Sequence, residues 1–324
     1  MKQRVTYIDQ LKGFAILLVV IGHVLEYCFT SADSGYESIW HELIYTFHMP
    51  LFAFLSGFFM KGINSWNSLR MKTERLLIPF LSIGSLYVLW RGFSLQSFFM
   101  SPFKYGYWYL WVMFLAFFPI TMFEGLSKRL NIKKWIGVDI LLFVGCFVLF
   151  TQTVTCLGGG NFMSISSMNY LLPYIVMGYF VKQYRFTDYL INKTIVFELS
   201  VVFLCIGLIT HFYYNILLSV HIIRITAISV LMHIFYVNQR CLPRWFEKLG
   251  IASLEIYVTH FFFIHTIKMP AINNFLRLND TPLLELFIAM LISAIICALC
   301  VAISKLLKQS RLLAYLCFGE LQKA

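Results

Sequence analysis

Charge is scarce in this 324-residue chain. Only 13% of its residues are charged, 60% are hydrophobic, and the mean hydropathy is +0.76. Soluble domains are about half apolar, so a soluble globular protein is excluded. No long polar stretch exists that would form a second, soluble domain, and residues 1–324 read as a single integral-membrane domain. Nor do the eight cysteines form a disulfide framework. Cys28, Cys146, Cys205, Cys297 and Cys300 lie in or at the ends of apolar runs, and Cys156 stands alone in a loop. Cys297-x-x-Cys300 has no flanking strand and no second pair, so it reads as small apolar helix residues, with no metal site implied. Internal repeats and low-complexity tracts are missing as well, and Gly158-Gly159-Gly160 reads as a flexible turn. Acidic residues number 15 against 26 basic ones, a net charge of +11. That surplus sits in short loops between apolar runs, which argues against a nucleic-acid partner.

The apolar runs predict an all-α, polytopic bundle of about ten membrane helices embedded in the bilayer. They fall near 12–30, 40–60, 76–92, 107–124, 135–153, 169–181, 194–213, 216–237, 251–268 and 284–304, judged against the roughly 20 residues needed to cross. The sixth is short and contains Pro173, which suggests a broken or tilted segment. Of the 26 Lys and Arg, 21 lie before the first span or after the even-numbered ones. By the positive-inside rule both termini are then cytoplasmic. The loop Ser31–Ile39, with two acids and no base, suits the outside. Lys2 and Arg4 ahead of an apolar stretch mimic a signal peptide, but His23 and Glu26 interrupt that stretch and nine spans follow. An uncleaved first helix is expected.

The most informative stretch is Asp9-Gln10-Leu11-Lys12-Gly13, followed by an apolar run to Ile21-Gly22-His23. Eleven residues separate Lys12 from His23, which returns to within roughly 20° of one helix face at about 100° per residue. The rise between them is roughly 16 Å, about half the hydrocarbon thickness. Asp9 and Glu26 lie on or near the same stripe. Ionisable groups inside a membrane are costly and mark functional sites, and a neutral imidazole in a dry site suits a general base. Snorkelling to the surface is the bland account of Lys12. A second group is Phe47-His48-Met49-Pro50-Leu51-Phe52, with His41 sharing the face of His48, and with the small pair Ser56-Gly57 allowing close helix approach. In the loop Lys61–Arg75, Arg70, Lys72 and Arg75 crowd the entrance of the third span. The positive-inside rule covers most of this signal, and an anion site for phosphates is the sharper account. Pro79 reads as a first-turn residue of that helix. Tyr107-Trp108-Tyr109-Leu110-Trp111 reads by position as an aromatic belt. In the ninth span Ser253, Tyr257 and His260 share a face, with Glu255 off it, placed to pair with Lys12 or Arg75 or to bridge helices. Arg224 is placed to snorkel, and interfacial solvation is enough for Asp139 and Glu198.

In order and spacing these segments resemble acyltransferase family 3, multispanning membrane proteins, and most of all its bacterial members that O-acetylate carbohydrates, such as fucose 4-O-acetylase-like proteins. The carrying residues are Asp9-x-Leu11-Lys12-Gly13 with His23, Phe47-His48-Met49-Pro50-Leu51-Phe52 with Ser56-Gly57-Phe58, Arg75-Leu76-Leu77-Ile78-Pro79, Trp108-Tyr109-Leu110, and Gly250-x-x-Ser253-x-x-Ile256-Tyr257-x-x-His260. The resemblance implies about ten helices, a bacterial cytoplasmic (inner) membrane location, and acetyl-CoA or another acyl-CoA entering from the cytoplasm as co-substrate, with no permanently bound cofactor. It also implies transfer to a hydroxyl of a carbohydrate or glycolipid acceptor. The family usually has Arg where this chain has Lys12, and a lysine lacks the planar two-pronged donor.

The expected chemistry assigns His23 as general base, with His48 and His260 contacting the acceptor or donating to the oxyanion. Lys12, Lys72 and Arg75 hold donor phosphates and Asp9 orients Lys12. Ser56, Trp108, Tyr109, Ser253, Tyr257 and Glu255 line the pocket. The sequence alone leaves an acetyl-histidine intermediate as open as direct transfer. It also leaves open two other classes, a glycan-lipid transporter or flippase without chemistry and a non-catalytic sensor or assembly partner.

Overall fold

The computed structural model describes residues 5–29, 38–130, 135–279 and 281–320. Lys2, Arg4 and most of the acidic Ser31–Ile39 loop, which entered the orientation argument, lie outside the described residues. Among the described residues every regular element is helical. They are α1 (Thr6–Val24), α2 (Ile39–Phe59), α3 (Trp66–Lys72), α4 (Ser85–Trp90), α5 (Leu95–Met100), α6 (Trp108–Arg129), α7 (Ile136–Cys156), α8 (Ile165–Gln183), α9 (Thr187–Asn192), α10 (Thr194–Phe212), α11 (Ser219–Val237), α12 (Arg244–Ile251), α13 (Ser253–Thr266), α14 (Pro270–Asn279), α15 (Pro282–Leu307) and α16 (Arg311–Phe318).

Seven of them are long and apolar enough to cross a membrane: α1 with its extension to Phe29, α2, α6, α7, α10, α11 and α15. The chain is therefore a polytopic helical membrane protein, and these seven match seven of the expected spans. The expected span 251–268 corresponds instead to a bent pair, in which α12 meets α13 at 81°. Ala252 makes the corner, with φ −90° and ψ 14°. The sixth expected span is α8, which runs unbroken from Ile165 to Gln183 with Pro173 inside it. A proline removes one ladder bond and need not end a helix whose neighbours support it.

The third expected span differs most. The stretch Lys61–Arg75 is not a loop throughout, because Ser65 caps α3 by accepting from the Ser68 amide. From Trp66 the backbone stays helical to Trp90, through π-helical turns at Thr73–Leu77 and Phe80–Gly84. Pro79 lies between the two turns, not in a first turn as expected. A local π-turn re-spaces the backbone bonds of the ladder, which fits a run that has to accommodate a residue without an amide hydrogen.

The chain divides into two compact units. One comprises Met1–Leu55 with Arg185–Ile303, the other Ser56–Tyr184 with Ser304–Ala324. In the first, α1 and α12 meet backbone to backbone. A Cβ on Gly250 would stand 1.7 Å from the Asp9 carbonyl oxygen, and one on Gly13 would stand 1.9 Å from that of Phe246. The Gln10 side chain donates to the Gln239 carbonyl at 3.0 Å, tying the start of α1 to the segment after α11. Within α2, Pro50 has no amide hydrogen to offer the Thr46 carbonyl. The Arg224 Nε of α11 donates to that carbonyl at 2.8 Å, so Arg224 serves a helix defect and does not simply snorkel.

In the second unit α2 and α8 approach closely at Gly57, where a Cβ would fall 2.3 Å from the Ile175 carbonyl oxygen. The loop after α2 is pinned to α6: Glu124 accepts from the Gly62 amide at 2.9 Å and Thr121 from the Ile63 amide at 2.7 Å. Asp139 is not left to interfacial solvation. It is 1% exposed and accepts from the Tyr184 hydroxyl at 2.5 Å. Glu198 is exposed, in line with its expected position. Tyr107, Tyr109 and Trp111 are buried rather than forming a belt. Before them, Lys104 adopts a left-handed backbone (φ 45°) and turns fully inward. Its ammonium donates to the carbonyls of Phe99, Ser101 and Asn161 at 2.6, 2.7 and 2.9 Å. Burial pushes its pKa down to about 8, so the group is still mostly charged at neutral pH, where it joins two loops.

Two outcomes follow. Gly250→Ala forces two backbones apart and lowers stability by at least about 1–3 kcal/mol, whereas Gly145→Ala, with nothing within 4 Å of the added carbon, leaves the melting temperature in detergent unchanged. Lys104→Met strands three carbonyls and costs at least about 2 kcal/mol, read in the same melting assay.

Candidate active site

Histidine 23 stands one residue before the end of α1, where the helix continues into a π-helical turn over Leu25–Phe29. That turn carries Glu26. Across from it, α2 contributes Tyr45. Gly22 makes room for this ring, since a Cβ there would meet Tyr45 Cε2 at 2.8 Å. The Tyr45 hydroxyl donates to Glu26 Oε2 in a very short contact, and its oxygen lies 2.8 Å from His23 Nδ1. Glu26 Oε2 is itself 3.4 Å from that nitrogen. A hydroxyl whose proton is committed to a carboxylate can only accept from the ring, so Nδ1 carries the proton and Nε2 the lone pair. Carboxylate, phenol and imidazole thus form a chain that fixes the ring and leaves Nε2 as its basic atom.

The surroundings of His23 come from the same unit. Its ring lies 4.7 Å from Phe261, 5.4 Å from His260, 5.8 Å from Tyr27 and 6.0 Å from Tyr45, centroid to centroid. The His23 side chain is 17% exposed. It is packed among rings inside the unit. His260, on α13, is fully buried. Its Nδ1 faces the carbonyls of Ile256 and Tyr257 at 3.0 and 2.8 Å. Carbonyls only accept, so Nδ1 is protonated and Nε2 carries the lone pair. That Nε2 is buried and has no hydrogen-bond partner among the described residues. Buried polar atoms nearly always have a partner, and an orphan beside a held imidazole is a place where a ligand group fits. His48 repeats the pattern: it is 3% exposed and its Nδ1 lies 2.7 Å from the Ile44 carbonyl. In their neutral forms both rings accept through Nε2.

The other sequence-derived residues distribute as follows. Asp9 and Lys12 share one face of α1, with Lys12 Nζ 4.0 Å from Asp9 Oδ1. Glu255 and Tyr257 are buried on α13 and Ser253 is half-buried at its start. In the second unit, the Ser56 hydroxyl hydrogen-bonds the buried Tyr109 hydroxyl at 2.7 Å, and Trp108 is half-buried. Lys72 and Arg75 point differently. Arg75 is exposed. Lys72 Nζ turns toward Ser68 Oγ at 2.9 Å and the Gly62 carbonyl at 3.4 Å, 4.4 Å above the Phe117 ring. Burial pushes its pKa down, partly offset by the carboxylate of Glu124.

Sequence reasoning placed Glu26 on the stripe without giving it a role and missed Tyr45, Tyr27 and Phe261. Tyr45 was legible: it lies four residues after His41 and three before His48, on the shared face of α2. Its ring packs 3.9 Å from His41 and 4.8 Å from His48.

Residues 5–303 match the family described as the acyltransferase domain. Two curated relatives are similar to parts of the chain. Nodulation protein NolL of Mesorhizobium japonicum is 30% identical over 175 residues, 46% of this chain and 46% of that protein. Nodulation protein NolL of Sinorhizobium fredii is 25% identical over 189 residues, 54% of this chain and 48% of that protein. The chain thus spans about half the length of the curated relatives it matches. No solved structure matches it significantly. With the family match running over nearly all of the sequence, the chain belongs to the acyltransferase 3 family.

Proposed function

We propose that this protein is a membrane O-acyltransferase that moves an acetyl group from acetyl-CoA, or a similar short acyl group from its CoA thioester, to a hydroxyl of a carbohydrate or glycolipid. The observation that carries this reading is the Glu26–Tyr45–His23 chain. It presents a lone pair at Nε2 of a ring stacked 5.4 Å from that of His260, in a chain of the acyltransferase 3 family.

In this reading the acceptor hydroxyl gives its proton to His23 Nε2 as its oxygen attacks the thioester carbonyl carbon. The carbon–oxygen bond forms, and the positive charge on the imidazole is balanced by Glu26 through Tyr45. The tetrahedral intermediate then collapses. The carbon–sulfur bond breaks, and the proton on Nε2 passes to the departing thiolate, so the base is regenerated without net proton release. His260 and His48, as acceptors at Nε2, take hydrogen bonds from sugar hydroxyls and turn the reacting oxygen toward His23. Within the first unit Lys12, oriented by Asp9, is assigned to donor phosphates, and within the second unit Lys72 and Arg75 are. A lysine serves there as a point charge where a guanidinium would clamp two oxygens. Ser56, Trp108 and Tyr109 in the second unit, and Ser253, Tyr257 and Glu255 in the first, are each assigned to substrate contacts. The positive-inside distribution of Lys and Arg supports an orientation in a bacterial cytoplasmic membrane with both termini inside. Donor entry is then from below and acceptor entry from the opposite side.

Membranes containing the protein should move label from acetyl-CoA to an endogenous lipid-linked or surface glycan, detected by mass spectrometry as an added acetyl group. His23→Ala should lower kcat by roughly 10²–10⁴ in a protein that folds normally. Wild-type turnover in that variant would refute the base assignment. Tyr45→Phe breaks the link between carboxylate and ring and should lower kcat by about tenfold or more, with the KM for acetyl-CoA unchanged.

A further inference from the structure

The family match ends at residue 303, yet the segment that follows is folded onto the helical run that carries Arg70 and Arg75. Ser310 caps α16, its hydroxyl accepting from the Leu313 amide at 3.5 Å. Ala314, Cys317 and Phe318 are buried, while Leu312, Leu313 and Leu316 face outward. The helix ends at Gly319, whose backbone is left-handed at φ +64°. The Gly319 amide donates to the Tyr315 carbonyl at 2.8 Å, and that of Glu320 to Ala314 at 3.2 Å.

The closeness of the next contact is unusual. A Cβ on Gly319 would lie 1.8 Å from the Glu74 carbonyl oxygen and 2.8 Å from Arg75 Cα. No other residue type fits: the left-handed backbone and the lack of space both demand glycine. Two further bonds hold the segment in place. The Ser82 hydroxyl donates to the Leu316 carbonyl, and Lys308 pairs with Glu320 at 2.7 Å. On the partner side Glu74 is 9% exposed, and its carboxylate is taken by Arg70 Nε at 2.8 Å. Arg75 points outward. Both belong to the π-helical turn Thr73–Leu77, and π-turns are rare, single-turn departures concentrated at functional sites.

We infer that Gly319 is a positioning residue for the donor site: α16 and its glycine terminus press on the Glu74–Arg75 backbone and set the point from which the Arg75 guanidinium reaches the phosphates of acyl-CoA. The inference rests on the proposed function in assigning those phosphates to Arg75. It adds that the last helix, beyond the matched stretch, is part of the donor site. Because Gly319 acts through a backbone it touches, it affects donor binding and leaves the bond-making step alone.

The test uses the full chain in detergent or nanodiscs, with acetyl-CoA as substrate and CoA as binding probe. Gly319→Ala should raise the KM for acetyl-CoA and the Kd for CoA about tenfold, since small misplacements of a binding group are costly. It should leave kcat within about twofold and the acceptor KM unchanged. Ser82→Ala, which removes only one hydroxyl, should shift both donor constants in the same direction by less. Leu312→Ala, on the outward face, should change nothing. Unaltered donor constants in a normally melting Gly319→Ala protein overturn the inference. If Gly319→Ala fails to fold, unaltered constants in Ser82→Ala do so. A wild-type protein that neither binds CoA nor transfers acetyl overturns the proposed function itself, and the inference with it. Wild-type binding of CoA with no response in either variant overturns the inference alone.

Discussion

Surrounded by hydrocarbon, a polar atom has no water to bond to and has to find its partner within the chain. The parts of this structure that look irregular are answers to that demand. Arg224 reaches from α11 to the one α2 carbonyl that Pro50 cannot serve. Lys104 converges on three carbonyls from two loops. Gln10 anchors to Gln239, and Asp139 takes the hydroxyl of Tyr184. His48 and His260 give their Nδ1 protons to carbonyls of their own helices. Among the described residues several buried polar atoms find no partner, and one of them, Nε2 of His260, belongs to a ring 5.4 Å from the one that the Glu26–Tyr45 chain holds.

Much of the architecture could be read from the sequence because lipid imposes a simple code. Apolar runs of about twenty residues marked α1, α2, α6, α7, α10, α11 and α15. The stripe from Asp9 to His23 followed from helix periodicity, since α1 is regular over that interval. The small pair Ser56-Gly57 flagged a close approach, and Gly57 does touch a neighbouring backbone, whereas the equally close contacts of Gly13 and Gly250 were not read from the sequence. The departures share a cause. The corner at Ala252, the π-turns around Pro79 and the unbroken passage of α8 through Pro173 depend on what packs alongside, and hydropathy carries no such information.

At the site the same division holds. His23, His260 and the Asp9–Lys12 pair were visible because ionisable groups in apolar helices are rare. Tyr45 was not, since tyrosine is ordinary in a membrane helix and its role needs the distance to a different helix. Glu26 was on the page but its use was hidden, because the link runs through Tyr45. The burial of Tyr107, Tyr109 and Trp111 likewise inverted a positional rule: aromatic residues near a helix start look like a belt, yet here they fill the second unit's interior.

The Thr46–Pro50–Arg224 arrangement ties the evolution of two distant positions. Restoring an amide at residue 50 would return the Thr46 carbonyl to its own ladder and make the guanidinium share that oxygen. An arginine in apolar surroundings is costlier once an acceptor is weakened. Lineages that abandon the proline are therefore expected to abandon the arginine in the same step, and a catalogue of related sequences should record the two substitutions as a pair.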